Sequence, residues 1–151
     1  MGGEWKALPM GRAFFMYLLV LGMIMLPGWL MAAAAIEMTE AEAVRLGEQF
    51  GVVIGPVDEE IQKELKMQKP EGVVVFEVIG GTPADLAGIK VRAVIKEIDK
   101  VEVRTMLDFG RALKRAMATE NFTVGTYEPA DPEVQGVGGL INFHFVRIVK
   151  D

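Results

Sequence analysis

The chain has 151 residues, room for one domain, with 51% apolar and 25% charged residues. From Glu37 onward, 14 Lys and Arg stand against 20 Asp and Glu, a net charge of −6 that leaves no electrostatic footprint for nucleic acid and no basic stripe for anionic lipid. There is no cysteine, no serine and one histidine, His144. That excludes disulfides, thiolate metal sites, haem attachment and any Ser or Cys nucleophile activated by a base, so no enzyme, cofactor or metal centre is expected.

Ala13 to Ile36 is a run of 24 residues without a charge, preceded by Lys6 and Arg12 and followed by Glu37, Glu40 and Glu42. As a helix it would reach about 36 Å, enough to span a bilayer. The positive-inside rule then puts residues 1–12 in the cytoplasm and the rest on the far side, with Tyr17 and Trp29 as interfacial anchors. A cleaved signal peptide fits the same segment, with Pro27-Gly28 as the break and Ala32–Ala35 supplying an A-x-A site. Trp29, Leu30 and Met31 carry the apolar run nearly to that site, which suits the single-pass anchor better. Either way the domain crosses the membrane, to the periplasm or another extracytoplasmic face.

Thr39-Glu40-Ala41-Glu42 is a capping-box pattern, and it predicts a short helix that Gly47 can close, a linker over residues 37–48. Phe50-Gly51-Val52-Val53-Ile54 reads as a turn running into a strand, stopped by Gly55-Pro56. Asp58 caps a helix over Glu59–Met67 that buries Ile61 and Leu65. Val73–Ile79 is an apolar strand broken by Gly80-Gly81. Thr82 to Gly88 is a one-turn helix, with Thr as cap, Pro83 at its first position and Gly88 past its end. Val94–Ile98 and Val101–Val103 flank a turn at Asp99-Lys100, and Thr105 with Asp108 opens the best helix in the chain, to about Ala118. Phe122–Tyr127 and Leu140–Val149 are the last strands, separated by the Gly-, Pro- and acid-rich connection 128–139.

The stretch Gln49–Val103, continuing to Leu113, resembles the PDZ domains of the periplasmic heat-shock (HtrA/Deg-type) serine proteases. The resemblance rests on the apolar-Gly-apolar turn Phe50-Gly51-Val52, the helix ending in Leu, and the segment Gly81-Thr82-Pro83-Ala84-Asp85-Leu86-Ala87-Gly88-Ile89-Lys90. Three departures stand out. Val91-Arg92-Ala93 replaces the usual Pro-Gly-Asp, Asp99-Lys100 replaces an Asn-Gly turn, and a hydrophobic segment with a short linker stands where the family has its protease domain. The implied fold is α+β: a small, mostly antiparallel sheet or partial barrel with two helices over residues 49–151, behind one membrane helix.

The resemblance also implies a site. The backbone amides around Phe50, Gly51 and Val52 would hold a C-terminal carboxylate, and the strand through Val53 and Ile54 would pair with the incoming peptide. Met106, Gly110 and Leu113, one helical face, would form the other wall, while Phe109, Ala112 and Ala116 face the core. The expected function is non-catalytic recognition of a protein C-terminus or extended segment of a membrane or periplasmic protein, with the bilayer held through residues 13–36. The alternative is an accessory subunit of a membrane complex whose groove is vestigial or filled. His144 is expected to face solvent or bond locally, and Glu128, Asp131 and Glu133 to form a solvated loop, since their spacing matches no calcium site.

Overall fold

The computed structural model describes residue 3 and residues 37–129 and 139–150. The membrane-anchor and signal-peptide readings of 13–36, the cytoplasmic assignment of 1–12 and most of the acidic connection (130–138) fall outside those residues. Among the described residues no helix is long and apolar enough to cross a membrane. A compact unit spans Met38–Asp151.

Helix α1 (Glu40–Phe50) is capped by Thr39, whose Oγ1 accepts from the Glu42 amide at 3.1 Å. It runs straight through Gly47, which sequence reasoning had placed at its end. It closes instead at Gly51, whose φ of +116° is left-handed backbone suited to glycine. The buried residues Ala43, Gly47 and Phe50 recur at i, i+4 and i+7, so α1 presents one stripe to the core. It is an integral layer of the domain and not a linker.

Strand β1 (Val52–Pro56) follows without a spacer, then α2 (Glu59–Glu64) capped by Asp58, and β2 (Val73–Val78). Thr82 caps the one-turn α3 (Pro83–Leu86) as its Thr-Pro start predicts. Strands β3 (Val94–Ile98) and β4 (Val101–Glu102) form a tight hairpin. Asp99 and Lys100 at its tip have φ of 47° and 66°, the primed-turn geometry that matches strand twist. Helix α4 (Met106–Met117) carries the full capping box between Thr105 and Asp108, and β5 (Asn121–Glu128) and β6 (Leu140–Arg147) complete the chain.

All strand pairs are antiparallel, in the order β1-β2-β3-β5-β6 with β4 attached to β3. Alternation along β3 splits the core into two layers: Ile95 joins the main cluster and Val94 a smaller one on the other face. The main cluster packs α1 and α4 on the sheet through Phe50, Phe109, Leu113, Ile95, Ile98, Val124 and Val146, all buried. Each such large side chain contributes roughly 1.5–3 kcal/mol by leaving water. The smaller cluster holds α2 through Leu65 against Val57, Val74 and Val94.

Candidate functional site

A peptide groove in this architecture needs a free strand edge, a facing helix and converging amides. Of the eight residues named from sequence, Phe50, Val52, Ile54, Met106 and Leu113 share one buried cluster with residues of α1. Val52, Val53 and Ile54 pair with β2 opposite Val78, Glu77 and Val75, with a register shift between Val53 and Ile54. The helix α1 packs on β1 and along α4. Val52 and Ile54 are consequently buried. Gly47 fits closely at that contact, where a Cβ would stand 3.3 Å from Ile54 and from the Val52 carbonyl oxygen.

The facing wall is closed in the same way. Met106, Gly110 and Leu113 are buried, as are Phe109, Ala112 and Ala116, so α4 is covered on both faces. A Cβ on Gly110 would approach Met38 Sδ to 2.7 Å and Ala43 Cβ to 2.9 Å. Gly110 therefore does not widen a cleft; it admits the N-terminal end of α1. At the rim Lys114 Nζ donates to Glu42 at 3.0 Å. That pair is largely exposed and worth at most about 1 kcal/mol.

The Gly51 amide, one of those expected to hold a carboxylate, is already engaged. Gly51 N–H donates to Gly47 C=O at 2.8 Å, closing α1. As the last helical residue, Phe50 directs its own amide back into the helix. The Gly51 carbonyl accepts from Ile79 N–H at 2.8 Å, and Thr82 Oγ1, which donates to the Ile79 carbonyl at 2.6 Å, fills the space beside Gly51. Phe50 is fully buried, its ring 5.9 Å from that of Phe122. The N-terminal end of α1 thus lies against the face of α4 that the sequence reading assigned to a groove wall. Met38 and Ala43, which lie against Gly110, were not singled out from sequence, and Gly47 was read only as a helix end. Their signal was the 43/47/50 stripe and the small residue facing a helix-interior glycine.

Two surface concavities among the described residues lie away from this face. A cleft of about 580 Å³ is bordered by Lys66, Met67, Lys69, Lys96, Tyr127 and Ile141. Burial pushes the Lys96 ammonium below its usual range, against the opposing pull of Glu71 and Glu102, and its Nζ donates to the Glu71 carbonyl at 2.8 Å. A smaller one, about 220 Å³, sits between α2 and β2 near Phe76 and Arg92. Neither includes a predicted groove residue.

His144 is locally bonded, the second of its two expected states. Its Nδ1 lies 3.1 Å from the Ala87 carbonyl, which fixes the proton on Nδ1, and Nε2 lies 2.9 Å from Thr126 Oγ1. Thr126 is fully buried. Among the described residues no three His, Cys, Asp or Glu side chains cluster as metal ligands.

An antiparallel sheet whose first strand edge faces a capped helix, with a Thr-Pro one-turn helix between β2 and β3, is a PDZ-like arrangement. No family model matches the chain. Over 64 residues it is 36% identical to a probable periplasmic serine endoprotease, DegP-like, from Chlamydia pneumoniae; the match covers 42% of this chain and 13% of that protein. Among solved structures it is similar to the HtrA-type protease AlgW with decapeptide, at 20% identity and a TM-score of 0.49, over 65% of this chain and 27% of that one. It is also similar to the HtrA3 PDZ domain bound to a phage-derived ligand (FGRWV), at 13% identity and 0.47, over 65% and 81% respectively. The domain is PDZ-like in the arrangement of its elements, and the chain spans about an eighth of the curated relative it matches.

Proposed function

We propose that the chain is a non-catalytic protein-binding module of the PDZ type whose peptide groove is occupied by its own helix α1. In this reading it acts as an accessory subunit on the extracytoplasmic side of a membrane, tethered through residues 13–36. One observation carries the choice over an open C-terminus reader: Met38 and Ala43 are seated on Gly110, where a ligand side chain would enter. For an external peptide to take the groove, α1 must leave it. That exposes Phe50 and Ala43, and removing a buried Phe alone costs about 3–5 kcal/mol. The absence of Ser and Cys and the doubly bonded His144 support the non-catalytic part.

The deciding experiment titrates the chain with peptides carrying an apolar last residue and another two places before it, as free acids and as C-terminal amides. No binding up to about 100 μM is expected for either form. Free-acid-specific binding at micromolar levels, ordinary for so small an interface, would mean that α1 vacates the groove and would restore the C-terminus reader. The tether is checked separately by carbonate extraction of membranes. A mature chain beginning near Ala35 or Ile36 would remove the anchor and leave a secreted module.

A further inference from the structure

With β1 covered by α1, the remaining long edge of the sheet is β6. It pairs with β5 in unbroken register over eight residues, from Leu140 opposite Glu128 to Arg147 opposite Asn121. On its outer side none of its backbone groups has a backbone partner among the described residues. Sheet edges are normally protected by charge, proline or a bulge. This one has none of these between Leu140 and Val146. Its solvent face instead carries Ile141, Phe143 and Phe145, which are 50%, 64% and 67% exposed. The facing is fixed from behind, where Val146 is buried and His144 is held by Ala87 and Thr126.

We infer that β6 is a self-association edge, pairing antiparallel with β6 of a second copy about a two-fold axis at Phe143. The strand is self-complementary in that register: Phe143 meets its own counterpart, and Ile141 lies opposite Phe145 of the partner copy, on one face. Charge selects the same orientation. Arg147 is the only charged residue of β6. Antiparallel pairing holds the two copies of it roughly 27 Å apart, where parallel pairing would stack them. The domains, at −6 each, repel elsewhere and approach best along an uncharged edge. With about 200 Å² per Phe, the exposed parts of the three side chains offer up to roughly 350 Å² per copy. Adding the strand backbones brings the pair near the ~1,000 Å² at which specific interfaces begin, so the dimer is weak and concentration-dependent.

The lack of cysteine gives a clean test on the full chain in detergent. Phe143→Cys should form a disulfide-linked dimer on mild oxidation, since directly opposed residues lie about 4.5–5.5 Å apart. Phe145→Cys should not, because its two copies are roughly 14 Å apart, beyond the ~7 Å limit. Sedimentation of the wild type should show a monomer–dimer equilibrium that Phe145→Lys weakens at least tenfold with an unchanged urea midpoint. Phe145→Thr, which keeps strand propensity, replaces it if the lysine variant does not fold. Three results overturn the inference: a chain monomeric at about 100 μM, including one whose β6 pairs only with another protein; equal crosslinking at positions 143 and 145; or a dimer indifferent to both Phe145 substitutions, which would mean another surface associates.

Discussion

Replacing Gly110 by alanine distinguishes a filled groove from an open one by the sign of the stability change. Gly110 lies in the interior of α4, where glycine costs about 1 kcal/mol relative to alanine in an exposed helix. If α1 left this face open, Gly110→Ala would therefore stabilise the domain by up to that amount. In the structure the new methyl would come 2.7 and 2.9 Å from Met38 Sδ and Cγ and 2.9 Å from Ala43 Cβ. Met38 is flexible and can swing aside. Ala43 Cβ is fixed to its helix, so α1 and α4 must separate by several tenths of an ångström. Overpacking of this kind costs roughly 1–3 kcal/mol, which exceeds the helix gain. The expected net is a destabilisation of about 1 kcal/mol, or roughly 4 °C in Tm for a domain of this size. Urea unfolding measures it. Ala43→Gly in the same chain should relieve the contact, so that Gly110→Ala becomes neutral or stabilising in that background. A stabilised single variant with no coupling to Ala43 would refute the seating of α1 on Gly110.

Other substitutions test the neighbouring devices. Gly51→Ala should destabilise by about 2 kcal/mol or more, because residue 51 sits at φ +116° and a Cβ would overlap Thr82; an unfolding midpoint close to wild type would contradict this. Lys100→Gly should stabilise by up to about 1 kcal/mol by relieving a side chain at φ 66°, read as a rise in Tm. Thr105→Ala removes the acceptor for the Asp108 amide and should cost about 1 kcal/mol in urea unfolding. The hydrogen bond from Arg104, at 2.9 Å, and its charge hold the Glu102 carboxyl below the usual range. A carboxyl lowered in the folded state contributes stability above its ordinary pKa and loses it as pH falls through the folded value. Arg104→Gln should therefore flatten the acid limb of a stability–pH profile below about pH 4.5 and change little at pH 7.

Where a local rule had a single physical outcome, the sequence was enough. Thr82-Pro83 starts a capped helix and Thr105 with Asp108 makes its capping box, but alternation through Ile141, Phe143 and Phe145 gave only the period of β6 and not its facing: the apolar set points to solvent, while His144 and Val146 point inward. The site was legible as a set of residues but not as a surface. Of the three residues that the resemblance puts in a carboxylate turn, Phe50 and Gly51 end helix α1 and Val52 opens β1, and Gly51 cannot serve both purposes. Its amide satisfies either the Gly47 carbonyl or a ligand carboxylate, and with no spacer between α1 and β1 the carbonyl is always at hand. Reading Gly47 as a helix stop was the decisive error, since propensity disfavours an interior glycine by about 1 kcal/mol. Tertiary contact offsets that cost here: a residue without a side chain lets α1 lie close against Ile54 and the Val52 carbonyl. Gly110 makes the reciprocal concession on α4, admitting Met38 and Ala43. Gly47 and Gly110, in different helices and each costly alone, are explained by two close contacts of α1 and the residues before it, one with β1 and one with α4.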